Sequence, residues 1–337
     1  MSDCHLASAN KFSSNISDFI RKKTWESFEN ILKDNKDLDF ALIGGDLFER
    51  SFFTTRDYQK LFKIIRDFGK NVYYVTGNHD YISYDNQLFF EEKPNNLKIF
   101  SSAKLDFYQE EKTRIYGISY EDRIFTQNFP YDLKLDKSYF NILLVHGAIG
   151  EKNSNYLNLD LNKVKAMGFN YVALGHIHKP EKLSYNIYYS GTTEAKDFSE
   201  NMDYGYLLYD EGKIQRKEVS KLKFTDISLK SSDFSDLNDL VTYLKTILSN
   251  KINFLRLNLK LDRSFKLDEE KIKNDLNLFY LEINVEKDYD FAKLVKAYPD
   301  SLLTRFLYQV DTCDKDHKIL ERAKELGLDA ILRSLYE

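Results

Sequence analysis

Several features that mark other protein classes are scarce or missing in this 337-residue chain. Its two cysteines, Cys4 and Cys313, lie at opposite ends and form no Cys-x-x-Cys motif. We therefore expect no disulfide framework and a reducing, cytoplasmic environment. The sequence has neither an apolar run long enough to span a membrane nor a charged-then-apolar leader, so we expect no membrane partner.

A basic excess is also missing. Lys and Arg number 49 against 53 Asp and Glu, which gives a net charge of −4. A free-standing DNA-binding protein more often carries a positive charge. The deficit does not exclude DNA, because bound divalent cations would add positive charge locally. Residues 213–223 are locally basic, which we interpret as a solvated hairpin edge.

Histidine is scarce too, with six residues, yet five of them sit in short polar islands. Histidine is the commonest metal-binding side chain. Its concentration beside Asp, Asn and Gly is difficult to explain as core packing and indicates metal sites. The islands are Asp3-Cys4-His5, Gly45-Asp46, Gly77-Asn78-His79-Asp80, Val145-His146-Gly147 and Gly175-His176-Ile177-His178.

The first two-thirds of the chain alternates helices with short apolar strands, which is typical of a layered α/β domain. We predict helices at 24–33 and 58–68 and strands at 40–43, 72–75, 141–145 and 171–174. Each of these strands runs into one of the polar islands. Ligands collect at the carboxyl ends of strands in open α/β sheets, so we expect the islands to converge.

The sequence changes character at residue 222 and contains no histidine until His317. Strands at 224–229, 254–259 and 280–285 with helices at 237–248 and 268–278 predict a small α/β unit. Past Tyr298 we predict a strand and then a helix that ends at Gly327 as its C-cap. The predicted division is a metal-binding domain at 1–220, an α/β capping domain at 221–300 and a tail at 301–337. Four apolar residues lie near the end of the chain: Leu328, Ile331, Leu332 and Leu335. They either pack on the capping domain or bind a partner protein.

The islands contain seven candidate ligands, too many for one ion, and suit two ions that share a bridging carboxylate. Residues two apart in an extended backbone point to the same face, so we expect Asp3 with His5, and His176 with His178, to enter one cavity. Asp46 is the favoured bridge. We assign the first ion to Asp3, His5, Asp46 and His178, and the second to Asp46, Asn78, His146 and His176.

Imidazole, carboxylate and amide ligands without a thiolate suit Mn²⁺, Fe²⁺ or Zn²⁺ better than Ca²⁺. Two-metal sites serve in-line displacement at phosphorus, so the motifs favour a phosphoester substrate. His79 is not needed as a ligand, and we predict that it is the general acid, with Asp80 orienting its ring. The alternative is that the two residues only tie a loop together.

Three further residues need an interpretation. We interpret Cys4, which lies between two ligands, as core filling. His317 lies on a predicted surface helix and should be solvated. Lys179 follows the last ligand and either contacts phosphate or is simply solvated.

The motif set resembles that of calcineurin-like metallophosphoesterases. The segments IGGDLFER, VTGNHD and LGHIHKPE resemble most the SbcD/YhaO-like DNA repair exonuclease family, and the resemblance covers residues 1 to about 210. It implies a two-layer β-sandwich flanked by helices, with a smaller α/β capping domain. It also implies two Mn²⁺ ions, cleavage of DNA at ends or in single strands and an SMC-like ATPase partner. A homodimer is a separate option.

The chain departs from the family in one place. The family pattern has an apolar strand directly before the first Asp-x-His, whereas only Met1 and Ser2 precede Asp3 here. We expect the native reading frame to start upstream.

Two other functions remain open. The same site could serve a small phosphodiester, a nucleotide or a phosphoprotein. The chain could also be a non-catalytic binding subunit, although a complete ligand set argues against that.

Overall fold

The computed structural model describes residues 1–8, 11–82, 87–150, 155–210, 212–262, 265–287 and 291–334. The chain separates into two compact units, Met1–Phe224 and Thr225–Glu337, and each is described by itself. Within the described stretches, no helix combines the length and the apolar character needed to cross a membrane.

The first unit alternates helices and strands as its sequence predicts. Its helices are α1 (Ser14–Lys33), α2 (Thr55–Phe68), α3 (Gln87–Glu92) and α4 (Leu161–Met167), with a 3-10 turn at Arg50–Phe52. Its strands are β1 (Phe40–Gly44), β2 (Asn71–Val75), β3 (Leu97–Phe100), β4 (Asp106–Glu110), β5 (Thr113–Ile118), β6 (Phe140–His146), β7 (Ala148–Ile149), β8 (Asn158–Leu159), β9 (Tyr171–Gly175), β10 (Glu181–Lys182), β11 (Ile187–Tyr189), β12 (Gly205–Asp210) and β13 (Lys213–Glu218).

Local sequence signals set the ends of α2. Thr54 and Asp57 form a reciprocal capping box at its start, and Gly69 ends it with a φ of 78°, which is the left-handed conformation of a helix C-cap. The helix therefore begins and ends where polar and glycine residues satisfy its backbone. It packs an apolar stripe, including Leu61 and Ile65, into the core.

Two sheets form the core of this unit. One has the order β1-β2-β3 and the other β10-β11-β9-β6-β5-β4. All pairs in the first sheet are parallel, as are β5, β6, β9 and β11 in the second. The edge strands β10 and β4 of the second sheet pair antiparallel with β11 and β5. Outside these two sheets, the unit has the antiparallel hairpin β12-β13 and the short parallel pair β7-β8.

The two sheets pack face to face, and helices cover their outer faces. Tyr73 and Val75 of β2 point between the sheets toward Ile142 and Leu144 of β6. On the outer side, Tyr74 joins a cluster with residues of α1 and α2. Since both faces of β2 are buried, its run is continuously apolar. The predicted helix-flanked two-layer sandwich is confirmed.

Strand β14 (Leu222–Lys230) leads from the first unit into the second. The second unit continues with a 3-10 turn at Ser231–Asp233, α5 (Leu237–Ile247), β15 (Ile252–Leu261), α6 (Glu269–Asp275), β16 (Tyr280–Lys287), α7 (Phe291–Ala297), α8 (Leu302–Asp311) and α9 (His317–Ser334). Its sheet has the order β14-β15-β16, with β15 parallel to β16. Leucines of α5 and β15 form its core.

Two predictions for the end of the chain are wrong. The segment past Tyr298 is helical, not a strand, because Ser301 caps α8 and buries Leu303 and Leu307 on one face. Gly327 does not end a helix but lies inside α9. A Cβ there would lie 2.0 Å from Cζ of Phe306, so the glycine permits close helix packing. The domain boundaries after residues 220 and 300 stay predictions.

Candidate metal centre

The strands of the sandwich deliver the polar islands to one end of the fold. Asp46 follows β1, and Asn78 follows β2 after a short turn. His146 is the last residue of β6 and pairs in register with Gly175, the last residue of β9. Because these strands are parallel within each sheet, their carboxyl ends meet at one edge.

The first residues of the chain run beside β1 and its continuation. The Asp3 amide donates to the Gly45 carbonyl at 3.0 Å, and the His5 amide donates to the Asp46 carbonyl at 2.9 Å. The backbone of Asp3 and His5 is not extended as predicted, since their φ angles are 54° and 47°.

Asp46 and His176 also have positive φ, at 49° and 98°. The left-handed region is unfavourable for residues with a Cβ and is tolerated where the surrounding fold enforces it. These four side chains are therefore presented from irregular backbone, whereas His146 is presented from the end of β6.

The Asp46 carboxylate lies between two groups of donors. Its Oδ2 atom is 3.7 Å from Nε2 of His5 and 3.3 Å from Nε2 of His146. Beyond these, His5 Nε2 is 3.0 Å from His178 Nε2, and His146 Nε2 is 3.2 Å from Asn78 Oδ1. Asp46 thus occupies the position that a shared ligand needs.

Asp3 completes the arrangement. Its carboxylate and the ligand atoms of His5 and His178 lie within 4.8 Å of one another, and so do those of Asp3, Asp46 and His146. His176 donates its backbone amide to Asp3 Oδ1 at 3.0 Å, and its ring centroid is 5.3 Å from that of His146. Such a mixture of imidazole and carboxylate donors fits divalent ions. The individual ligand roles stay predictions.

Burial and charge set the protonation of the imidazoles. Burial holds the pKa of His5 well below its usual range, and burial also lowers the pKa of His176 to about 4. For His146, burial acts in the same direction, but the Asp46 carboxylate outweighs it and raises the pKa to about 9. Neutral imidazoles bind metal, so His5 and His176 need lose no proton to do so.

His79 stands at the rim with a carboxylate partner. Its Nδ1 atom is 2.6 Å from Oε2 of Glu49, and a third of its side chain is exposed. The hydrogen bond to Glu49 raises the pKa of His79 above its usual value. Glu49 therefore favours the protonated ring that a general acid needs.

The prediction that Asp80 orients the ring of His79 is wrong. Asp80 is fully buried, and its carboxylate accepts from the amides of Leu47 at 2.5 Å and Gly77 at 2.6 Å. It also accepts from the Asp46 amide at 3.2 Å and from the Tyr74 hydroxyl. The hydrogen bonds of Asp80 therefore link the two segments that carry Asp46 and Asn78.

Sequence reasoning missed two acidic residues at the site. Glu49 follows Asp46 by three residues, and that spacing was the one available signal. Glu200, whose Oε1 is 2.5 Å from His178 Nδ1, is 22 residues from its partner and had none. Cys4 is buried in the core, as predicted, and His317 and Lys179 are exposed.

Residues 1–180 match the sequence profile of the calcineurin-like phosphoesterases. The chain belongs to that family. Calcineurin-like phosphoesterases depend on two metal ions and hydrolyse phosphoesters, and the convergent acidic and histidine groups of this chain are positioned to bind metal.

One curated relative within the family is the uncharacterized metallophosphoesterase YhaO of Bacillus subtilis (strain 168). It is 32% identical over 206 residues, which are 56% of this chain and 50% of the relative. The chain therefore spans about half the length of that relative. A solved structure, that of TT1561 of Thermus thermophilus, matches with a TM-score of 0.39 and 16% identity over 58% of this chain and 94% of that one.

Proposed function

We propose that this calcineurin-like phosphoesterase cleaves phosphodiester bonds of DNA, as an exonuclease or endonuclease subunit in DNA repair. One observation carries the hydrolytic part. Asp46 Oδ2 lies 3.7 Å from His5 Nε2 and 3.3 Å from His146 Nε2. A single carboxylate thus faces two separate donor groups, as a dimetal site requires.

The seven predicted ligands would hold the ions. Two divalent ions, when bound, supply Lewis acidity to the phosphoester and stabilise the attacking and leaving oxygens. The donor set favours Mn²⁺, with Fe²⁺ or Zn²⁺ as alternatives. One ion would take Asp3, His5, Asp46 and His178, and the other Asp46, Asn78, His146 and His176.

His79 would protonate the leaving oxygen. Its Nδ1 faces Glu49, which leaves Nε2 as the atom available to substrate. The ring is 4.9 Å from that of His5, centroid to centroid, so the acid lies beside the donors. General acids held in this way contribute about 10²–10⁴-fold to rate.

DNA as the substrate, and an SMC-like ATPase as the partner, rest on the motif resemblance and on the second unit. That unit has its own core and carries exposed apolar side chains on α8 and α9 that suit a protein partner, either the ATPase or a second copy. Leu328, in contrast, is buried within the unit, and Leu335 lies outside the described residues. The exposed residues are Leu302, Tyr308, Ile319 and Leu326.

In a direct assay, the protein is incubated with Mn²⁺ and one of three substrates. These are labelled single-stranded DNA, labelled duplex DNA with free ends, and bis-p-nitrophenyl phosphate. We expect cleavage of both substrate types, loss of both with Asp46→Ala, and a roughly 10²–10⁴-fold fall with His79→Ala. Asp132→Ala and His317→Ala, which change exposed residues, should retain wild-type activity.

Two outcomes would change the proposal. Cleavage of the small diester without cleavage of DNA, even with the ATPase added, would favour a small phosphodiester, nucleotide or phosphoprotein substrate. No hydrolysis of any substrate would favour a non-catalytic binding subunit.

A further inference from the structure

Residues 191–200 are buried although they form no helix or strand. Eight of these ten residues are buried, and the two exposed ones are Asp197 and Ser199. Loops normally run over the surface, since a buried loop must satisfy its backbone groups internally. Three buried polar side chains of this loop, Thr192, Lys196 and Glu200, lie behind two of the predicted metal ligands.

Glu200 faces one of those ligands. Its Oε1 is 2.5 Å from Nδ1 of His178, while the other ring nitrogen of His178 points toward His5 Nε2 at 3.0 Å. The second carboxylate oxygen of Glu200 accepts the Lys196 amide at 2.7 Å. Glu200 is 5% exposed, so both of its oxygens are directed by protein groups.

Lys196 connects Glu200 to the other ligand. Its Nζ is 3.4 Å from Glu200 Oε1 and donates to Thr192 Oγ1 at 2.6 Å. That hydroxyl donates in turn to the Asp3 carbonyl at 2.7 Å, and the Thr192 amide donates to the His178 carbonyl at 3.0 Å. One polar chain therefore reaches from the His178 ring to the Asp3 backbone.

We propose that Glu200, Lys196 and Thr192 are positioning residues for the first ion, the one assigned to Asp3, His5, Asp46 and His178. The inference rests on the proposed dimetal site. A carboxylate that accepts the Nδ1–H of a histidine fixes its tautomer, directs Nε2 at the ion and makes the ring a stronger ligand. Lys196 balances the buried charge of Glu200, which would otherwise be costly.

The ligands predicted for the second ion have hydrogen-bond partners outside this loop. His146 Nδ1 faces the Gly44 carbonyl at 2.9 Å, a neutral acceptor from β1. Among the described contacts of His146 and Asn78, none involves the 191–200 loop. The network should therefore act on one ion and leave the other unchanged.

The test measures metal binding directly. Metal-free full-length protein is titrated with Mn²⁺ against a competing chelator, and the number and affinity of bound ions are read without substrate. We expect wild type to bind two ions. Glu200→Gln, which keeps the shape but removes the charge, should weaken one site about 10–100-fold and leave the other unchanged, whereas the exposed-surface control Glu269→Gln should match wild type.

Lys196→Met separates positioning from simple electrostatics. Removing a cation near a metal site raises affinity if charge alone matters. We expect the first ion to bind more weakly instead, because Glu200 and Thr192 lose their shared donor. Thr192→Val, nearly isosteric, should weaken the same site, and thermal unfolding checks that each variant is folded.

Three results would overturn the inference. Unchanged affinities in Glu200→Gln would refute the role of Glu200, and equal weakening of both sites would refute the selectivity. Tighter binding in Lys196→Met would refute positioning by Lys196. If the wild-type protein binds fewer than two ions, the dimetal assignment is wrong, and so is the inference that rests on it.

Discussion

The contact between His79 and Glu49 controls when the proposed acid carries its proton. Glu49 Oε2 is 2.6 Å from Nδ1 of His79 and raises the pKa of the ring. A histidine with a raised pKa stays protonated to higher pH, so activity that needs its proton falls only above that pKa. In Glu49→Gln the pKa of His79 drops, and the activity should therefore be lost at lower pH than in wild type.

The measurement is the pH dependence of bis-p-nitrophenyl phosphate hydrolysis with Mn²⁺ held saturating. We expect the basic limb of the profile to move to lower pH in Glu49→Gln and to stay in place in Glu29→Gln, which changes an exposed residue of α1. An unshifted limb in Glu49→Gln would mean that His79 does not supply the proton.

At the scale of elements, β1 and β9 approach so closely that only glycine fits between them. A Cβ on Gly175 would lie 1.8 Å from the Gly44 carbonyl oxygen. We expect Gly175→Ala to lower the free energy of unfolding by about 1–3 kcal/mol or more and to displace His176.

Urea denaturation of metal-free protein measures the first effect and Mn²⁺ titration the second. Gly168→Ala is the comparison, because it has open space around its Cβ and a φ of 77°. It should cost only about 1–2 kcal/mol of backbone strain and leave metal binding intact. A Gly175→Ala variant as stable as wild type would contradict the close approach.

The elements that carry the site were predictable because their signals are local. Apolar runs such as those before Asp46 and His146 end in polar islands, and period and composition identify both. Long-range pairs were not predictable. Glu200 contacts His178 only in the folded chain, and no spacing in the sequence indicates this contact. The role of Gly327 was predicted wrongly for the same reason, because it depends on close packing against Phe306 of the neighbouring helix.

At the scale of the whole molecule, the first unit contains every residue assigned to the metal centre. Hydrogen bonds within the unit also hold its last residues, because the Glu194 carboxylate accepts from the backbone amides of Lys221 at 2.7 Å and Leu222 at 3.0 Å. We expect a chain ending at Phe224 to fold, to bind two ions and to hydrolyse the small diester, while losing DNA cleavage.

Circular dichroism, metal titration and the two hydrolysis assays check that expectation. A chain ending at Val219 is the control, since it lacks both amides and leaves the buried Glu194 carboxylate short of donors. Loss of such bonds costs about 1–3 kcal/mol, so this chain should unfold at lower urea. Failure of the longer chain to bind metal would show that the centre needs the second unit.

Four of the seven predicted ligands, Asp3, His5, Asp46 and His176, have positive φ angles. Glycine would relieve the strain at each of them, by about 1–2 kcal/mol per residue. A sequence selected for stability alone would therefore place glycine at these positions and remove four ligands at once. Stability and activity are in direct opposition at these residues. At these four positions, a strained backbone conformation is kept together with the side chain that the metal centre needs.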